Sequence, residues 1–327
     1  MTGGVLPFVL RRLLLVPPTL FAVLIITFAF TQAAPGDPVR IITGTRAPDP
    51  EVAEQIREEF GLTGGFFDRF GDYFVGLVTR GDLGPSYFHR SPQRSVAELL
   101  GERVWVSTQL GLISLALIFL LGIPLGVFAA VNRGTWRDPF TIGFFMIFDA
   151  IPVLVLIPLM VWLLVFGLHE VPAFFGFSVP SVWTPGDAAS YIVPVAALTL
   201  PALAGMARFV RVSVLSVLDE DYVRTARAKG LGPRTVVIRH VLRNSLLPLS
   251  TVMALSIVTV VTGAILTETL YGVPGVGSFV FASIGQRDFN VILGFTLLVA
   301  TLFVLANVVI DVAYIFIDPR IRYSRRA

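Results

Sequence analysis

The sequence has no cysteine, three histidines and one lysine, and only 14% of its residues are charged. The absence of cysteine excludes disulfides, thiolate zinc sites, iron–sulfur ligation and a cysteine nucleophile. His89, His169 and His240 lie far apart in the sequence and share no metal-ligand spacing. The lysine, Lys229, precedes Gly230, whereas a phosphate-binding loop needs a lysine followed by serine or threonine. Any dependence on ATP must therefore come from partner proteins.

The low charge accompanies a high apolar content. Hydrophobic residues fill 55% of the 327 positions and the mean hydropathy is +0.80, whereas a soluble domain has about 25% charged residues. A membrane-spanning helix needs about 20 mostly apolar residues. Six stretches meet this requirement, namely residues 13–30, 106–131, 140–168, 191–210, 249–266 and 291–316. The sequence therefore predicts an all-α membrane protein with six transmembrane helices.

Proline occurs inside several of the predicted spans. In a membrane bundle, neighbouring helices can satisfy the carbonyl groups that a proline leaves without a partner. The prolines in question are Pro124, Pro152, Pro158, Pro194 and Pro201. We therefore expect kinked spans at these positions.

The first apolar stretch has an alternative interpretation as a cleaved signal peptide. Arg11 and Arg12 precede it, and Ala33 and Ala34 follow it, as in such peptides. The stretch is longer than the usual apolar core of a signal peptide, and Pro35 lies just beyond the possible cleavage site. Both features favour a first span that is retained.

Basic residues are distributed unevenly between the two sides of the predicted bundle. If the N-terminus is cytoplasmic, the inside segments carry sixteen arginine and lysine residues, and the two short outside loops carry only Arg287. The other eight lie in the first outside loop, which is too long for the positive-inside rule to apply. This distribution predicts that both termini are cytoplasmic.

The longest charged inside segment, residues 219–248, reads as two short helices. Acidic residues begin the first helix at Asp219 and basic residues follow toward its end, as the helix macrodipole favours. Gly230 suits the end of this helix, and Pro233 suits the first turn of the next. The pattern predicts a helix–turn–helix.

The second of these helices carries apolar and basic residues side by side. Val237, Val241 and Leu242 alternate with arginines, and helices this short are marginal on their own in water. We therefore expect the segment to dock onto a partner with an apolar centre and an acidic or polar rim. The alternative is a solvated connector whose arginines follow the positive-inside rule or touch anionic lipid.

The same segment resembles a known family. Residues 222–231 read YVRTARAKGL and residues 239–248 read RHVLRNSLLP, close to the "EAA" coupling loop of ABC-importer permeases of the dipeptide/oligopeptide/nickel branch. Further signatures resembling that branch are PGDP at 35–38, GDLG at 81–84, the block from Glu268 through YGVPGVG to Arg287 and Asp288, and DPR at 318–320. The resemblance thus extends along nearly the whole chain.

Two positions depart from the loop consensus of the wider superfamily. Arg224 stands where that consensus has glutamate, and Arg243 stands where it has proline, while Ala226 and Gly230 are kept. These departures are usual in the peptide branch. The details of the coupling contact are therefore less transferable than the family itself.

The resemblance implies the fold of a type I ABC importer transmembrane domain and the role of a non-catalytic pathway subunit. Such a subunit would lie in the cytoplasmic (inner) membrane of a bacterium or an archaeon. It would pair with a second homologous permease and sit on two cytoplasmic ATPase subunits, which bind ATP and magnesium. An extracytoplasmic binding protein would deliver the substrate. Membrane lipid surrounds such a chain, and we expect no nucleic acid partner and no cofactor or metal bound by it.

The residues that the resemblance implies for ATPase coupling all lie within the predicted helix–turn–helix. They are Asp221, Tyr222, Arg224, Ala226, Arg227, Lys229, Gly230, Leu231 and Arg239.

These features predict a division of the chain into regions. Residues 1–31 form the N-terminal transmembrane helix, and residues 32–105 form an extracytoplasmic loop region. Residues 106–317 form the permease domain, with coupling helices at 219–248, and residues 318–327 form a cytoplasmic tail.

The extracytoplasmic region contains a predicted short helix at residues 49–62. Asp49 suits its cap, Pro50 its first turn and Gly61 its end. The region is mixed in charge, with eight arginines and eleven acidic residues, which suits contact with a soluble binding protein. The alternative is a folded cap that only covers the helix ends.

Two ionisable residues lie inside predicted spans, where each is a functional hypothesis by default. For Asp149, packing between helices and lining of the aqueous path are equally favoured. For Asp311, a structural pair with an arginine close to the membrane is favoured.

Three residues near the fifth predicted span are further candidates for the pathway or its gate. Glu268 could meet a cationic group of the substrate, although a bond to backbone amides is favoured. Pro274 and Gly275 lie in residues 271–285, an apolar segment rich in glycine that is too short to span. We expect this segment to be re-entrant or interfacial.

The resemblance implies a permease subunit of an ATP-driven importer, with short peptides as the substrate class most consistent with the branch and with metals and other small solutes still open. One alternative is a proton-coupled secondary transporter using Asp149 and Asp311, although no internal repeat is evident. Another is an intramembrane enzyme, which would need a nucleophile and base within reach or a metal cluster.

Overall fold

The computed structural model describes residues 5–33, 38–44, 49–90, 93–168, 170–174, 178–246 and 264–317, and the single positions 176, 249, 252 and 256. The chain folds into two compact units. The first comprises Met1–Val106 and Pro274–Ala327, and the second comprises Ser107–Val273.

Most of the described chain is helical, and its elements follow one another in this order. The first part contains α1 (Val5–Leu14), α2 (Val16–Ala33), α3 (Pro38–Thr43), α4 (Pro50–Glu59), α5 (Phe66–Arg80), the antiparallel strands β1 (Pro85–Arg90) and β2 (Gln93–Ser95), and α6 (Val96–Val131). The middle contains α7 (Arg137–Ala150), α8 (Val153–Val161), a π-helix (Trp162–Gly167), α9 (Glu170–Phe174), a 3-10 helix (Ala188–Tyr191) and α10 (Ile192–Leu218). The last part contains α11 (Asp221–Ala228), α12 (Pro233–Thr235), a π-helix (Val236–Val241), α13 (Leu242–Ser245), α14 (Ile265–Tyr271), α15 (Val276–Gln286) and α16 (Phe289–Ile317).

The described helices provide between four and six candidate membrane spans. Four stretches are long and apolar enough alone, namely Val9–Ala33, Val96–Val131, Ala188–Leu218 and Phe289–Val309. Two bent helix pairs qualify only if each pair counts as one span: α7 with α8 and its π-helical extension, and α14 with α15. The second span begins at Val96 instead of residue 106, because the helix continues into the region predicted as a loop. Most of the fifth predicted span, residues 249–266, lies outside the described part of the chain.

The prolines affect the helices unequally. α7 and α8 are bent by 101° at a break where Pro152, which has no N–H to donate, precedes the first turn of α8. Pro124, Pro158 and Pro201 instead lie inside continuous helices. A proline kink is therefore confirmed at Pro152, and proline alone does not decide where a helix breaks.

Two glycines let α6 pack closely against α10. A Cβ atom built on Gly122 would lie 2.5 Å from Met206 Cγ, and one built on Gly126 would lie 2.6 Å from the carbonyl oxygen of Ala207 and 2.6 Å from Val210 Cβ. The spacing of four residues places both glycines on one side of the helix, as in the small-residue contacts of membrane helices. An added side chain at either glycine would therefore require α6 or α10 to shift.

The region after α2 is folded and not an open loop. α4 begins as predicted, because Asp49 Oδ1 accepts a hydrogen bond of 3.0 Å from the N–H of Glu51, and Gly61 has a φ of 61°. Its apolar side joins a small core in which the rings of Phe60 and Tyr87 meet edge to face at 5.3 Å. α5 packs its aromatic residues against α2 and α16 within the first unit.

Candidate functional site

The predicted helix–turn–helix is present in the second unit. α11 ends before Gly230, whose φ of 81° lies in the left-handed region that glycine adopts without strain. Pro233 occupies the first turn of α12, after Gly232. The following helix has π-helical spacing up to Val241 and returns to α-helical spacing in α13. This conformation is confirmed through Ser245.

One face of this segment is buried inside the chain itself. Val223 on α11 and Val241 on the π-helix are both fully buried, and they pack with Val210 and Val214 of α10. The expectation that Val241 faces a partner protein is therefore wrong, because α10 already covers this apolar side chain. Burial of these valines on both helices stabilises the contact between α11 and α10 more than surface ion pairs could.

Ala226 belongs to the same buried face. Its exposure is 6%, and it joins the core that α11 forms with α10. Of the nine residues expected at the ATPase contact, it is the one that the chain's own fold covers. The expectation of a direct contact at Ala226 is therefore corrected: the small side chain serves the packing of α11.

The other eight expected residues are exposed. They are Asp221, Tyr222, Arg224, Arg227, Lys229, Gly230, Leu231 and Arg239, and we refer to them as the coupling surface. Tyr222 and Leu231 are 41% and 39% exposed and supply apolar area among the cations. Ile238, which no motif indicated, lies in the same segment and is 56% exposed.

One polar contact joins the two coupling helices, and another lies next to them. Asn244 Nδ2 on α13 donates a hydrogen bond of 2.8 Å to the hydroxyl of Tyr222 on α11. Arg133 and Asp219, both largely exposed, approach to 3.9 Å between the α6–α7 turn and the end of α10. An exposed pair of this kind adds about 1 kcal/mol at most, so the buried core holds the segment in place.

A cavity of about 550 Å³ lies between α6 and α10 in the second unit. Its wall is mostly apolar, with Ser107, Ser114 and Ser256 as hydroxyl groups along it. Ser107 Oγ donates a hydrogen bond of 2.7 Å to Oε1 of Glu268, which is fully buried. The carboxylate of Glu268 therefore supports a residue that lines the cavity.

The remaining pathway candidates occupy different environments. Asp149 is exposed and lies at the end of α7, next to the bend before α8. Pro274 is exposed, whereas Gly275 is buried and precedes the first turn of α15. The backbone of Asp311 lies in α16, and its side chain falls outside the described part. A shared role of these residues in the pathway stays a prediction.

A buried carboxylate in the first unit was missed by the sequence patterns. Asp288 Oδ2 accepts hydrogen bonds from Ser86 Oγ at 2.6 Å and from the N–H of Tyr87 at 3.0 Å, and burial raises the pKa of Asp288. Ser86 Oγ also lies 3.0 Å from His89 Nδ1. Here the serine stands between histidine and aspartate, whereas a catalytic triad has histidine in the middle. The group therefore ties β1 to the start of α16.

Two family descriptions match the chain. The model for "binding-protein-dependent transport system inner membrane component" matches residues 122–323, and a model for the N-terminal part of such membrane components matches residues 5–93.

Curated relatives match almost the full length. The dipeptide transport system permease protein DppB of Escherichia coli (strain K12) is 38% identical, with 98% of this chain and 100% of the relative covered. The oligopeptide transport system permease protein OppB of Haemophilus influenzae is 35% identical, with 97% of this chain and 100% of the relative covered.

A solved structure supports the fold. A crystal structure of the MetNI methionine ABC transporter in an inward-facing conformation matches with a TM-score of 0.52 and 21% identity, covering 67% of this chain and 96% of that chain. This similarity indicates the transmembrane fold of a type I ABC importer. Because one family model matches more than half of the chain and the relatives match nearly all of it, the chain belongs to the family of binding-protein-dependent transport system inner membrane components.

Proposed function

We propose that this chain forms half of the translocation pathway of an importer for short peptides and is driven through its coupling surface. The role of an ABC importer permease follows from the family. The choice of peptides as the substrate rests on the relatives DppB and OppB, named for dipeptide and oligopeptide transport, at 38% and 35% identity over nearly the whole chain.

One observation carries the coupling role: α11 is buried on one side and exposed on the other. Val223 and Ala226 anchor it to α10, while Arg224, Arg227 and Tyr222 point away from the core. An ATPase groove with an apolar centre and an acidic rim would complement this surface. Because α11 is packed onto α10, a displacement of α11 would move α10 with it.

α10 connects this lever to the proposed pathway. It forms part of the wall of the 550 Å³ cavity, and it packs closely on Gly122 and Gly126 of α6. A small rotation of α10 would therefore reshape the cavity without local unfolding. We place the substrate path along this wall, with Ser107 and its partner Glu268 at one end.

The assembly that this role requires contains a second homologous permease and two cytoplasmic ATPase subunits, which would bind ATP and magnesium. Both termini and residues 219–248 would face the cytoplasm, as the positive-inside rule favours. Residues 32–105 would face outward as an extracytoplasmic insertion, and the mixed charge of this folded region suits contact with a substrate-binding protein.

Charge reversal on the coupling surface tests this proposal. We expect the double variant Arg224→Glu and Arg227→Glu to lower peptide-stimulated ATP hydrolysis by the reconstituted complex by about tenfold or more, because two favourable contacts become repulsive. Both arginines are exposed, so the fold of the chain should persist. The measurement is ATPase activity with and without the binding protein and a dipeptide.

The double variant Arg224→Lys and Arg227→Lys is the matched control, since it keeps both positive charges at the same exposed positions. We expect this variant to keep the parental stimulation. Parental stimulation in the double variant would contradict the coupling role. Stimulation of the parental complex by other solutes but not by peptides would contradict peptides as the substrate.

A further inference from the structure

A second cleft, of about 330 Å³, lies between α7 and the last turns of α10. Arg208, Arg211 and Asp138 line its polar end, and Ile142, Gly143 and Met146 line its apolar end. None of these residues belongs to the coupling surface or to the proposed substrate path.

The polar end of the cleft carries an uncompensated positive charge. Arg211 is neutralised, because its Nε and Nη2 donate hydrogen bonds of 2.6 Å to the two carboxylate oxygens of Asp138. Arg208 is exposed and forms no ion pair with any residue that the structure describes. The cleft therefore offers one guanidinium group to a negatively charged ligand, beside a pair that is already satisfied.

The apolar end continues the cleft along α7. Ile142 and Met146 follow Asp138 at intervals of four residues, so they lie on the same side of the helix and rise by about 6 Å at each step. A Cβ atom built on Gly143 would meet no atom within 4 Å, so the glycine leaves open space there. An open cleft with a charged end and an apolar end along a helix matches an amphiphile.

The neighbouring surface of α7 has the character of a membrane boundary. Trp136, Phe140 and Phe144 are 70%, 61% and 46% exposed, and successive rings lie 5.8 Å and 6.3 Å apart. Tryptophan at a helix end followed by phenylalanine is typical of the interface between lipid headgroups and acyl chains. The charged end of the cleft thus lies where headgroups would be.

We infer that this cleft binds an anionic phospholipid, with its phosphate at Arg208 and an acyl chain along Ile142, Gly143 and Met146. A guanidinium group recognises phosphate through charge and hydrogen bonds together. Basic pockets between membrane helices on the cytoplasmic side are suited to such headgroups. Because the site lies beside the α6–α7 turn, the lipid would brace α7 against α10, the helix that carries the coupling segment.

Native mass spectrometry of the assembled complex, titrated with phosphatidylglycerol, tests this site. We expect Arg208→Gln to weaken phosphatidylglycerol binding to this site about fivefold through the lost charge. Gly143→Leu should also lower occupancy, because it fills the apolar channel and keeps every charge. The same spectra report the subunit masses, so a variant that fails to assemble is recognised directly. Arg57→Gln, which removes an arginine elsewhere, should bind as the parent does.

Three results would overturn the inference. Equal phosphatidylglycerol affinity in the parent, Arg208→Gln and Gly143→Leu complexes would exclude the site. If the parent complex retained phosphatidylcholine as well as phosphatidylglycerol, the anionic headgroup would have no role in binding. A photoreactive residue at Met146 that cross-links to the second permease would identify the cleft as a subunit contact, whereas cross-linking to phosphatidylglycerol supports the proposal.

Discussion

Gly126→Ala should destabilise the complex by about 2 kcal/mol, although alanine is the better helix former. The added Cβ would lie 2.6 Å from the carbonyl oxygen of Ala207, and a backbone atom cannot rotate away as a side chain can. α6 and α10 would have to separate, which would open the wall of the cavity. Thermal unfolding of the purified complex, together with its yield, measures the effect.

Gly101→Ala is the control in the same helix. A Cβ atom on Gly101 meets nothing within 4 Å, so only the helix propensity changes. We expect this variant to be neutral or stabilised by up to about 1 kcal/mol. If the two variants unfolded at the same temperature, the close packing of α6 on α10 would be contradicted.

Ala226→Asp should destabilise the chain more than the same substitution at Ala228, which also lies on α11. Ala226 is 6% exposed in the core with α10, and a buried carboxylate without a partner costs about 3–5 kcal/mol. We expect the coupling segment to detach from α10, with loss of the assembled complex or of its stimulated ATP hydrolysis. Limited proteolysis within residues 219–246 reports this detachment.

Ala228→Asp is the matched control two residues away. Ala228 is exposed, so the same carboxylate stays in water and the stability should change by about 0.5 kcal/mol or less. Equal protease sensitivity in the two variants would mean that α11 is not anchored through the face that contains Ala226.

Local structure was predictable from the sequence wherever the residue type determines the backbone conformation. Asp49 caps α4, Gly230 takes a positive φ and Pro233 begins α12, as the patterns predicted. These positions follow from side-chain reach and allowed dihedral angles, which depend on few neighbours. The turn and the start of the second helix were therefore predictable, whereas the π-helical spacing of Val236–Val241 was not.

The buried face of the coupling segment was not predictable in the same way. Val223, Ala226 and Val241 face α10 because of the tertiary arrangement, and the sequence pattern was equally consistent with a partner protein covering them. Pro152 lies at a helix break whereas Pro124 lies inside a continuous helix, and the residue type alone does not distinguish the two positions.

Contacts between distant parts of the sequence were also missed. Ser86 and Asp288 are about two hundred positions apart, and neither belongs to a motif that names the other. The spacing of Gly122 and Gly126 was visible in the sequence. Only the structure shows that these glycines allow α10 to approach α6 closely. Spacing within one helix does not identify the helix that it faces.

The eight residues of the coupling surface are exposed, whereas Ala226 beside them is buried against α10. In the proposed coupling role, the core that α11 forms with α10 would transmit a force on the exposed residues to α10. Gly230 also limits engineering here: a side chain would find open space, yet any L-residue would be strained at a φ of 81°. Substitutions at Gly230 therefore mix backbone strain with docking, whereas Arg224 and Arg227 report docking alone.

Photo-cross-linking from Tyr222 tests the central claim most directly. A photoreactive amino acid at this position, which is 41% exposed on α11, should cross-link the chain to an ATPase subunit in inverted membrane vesicles. The same amino acid at Phe140, 61% exposed on α7, should give no ATPase adduct. An ATPase adduct that appears only from Tyr222 is the predicted result. Adducts to lipid alone from both positions would contradict the account.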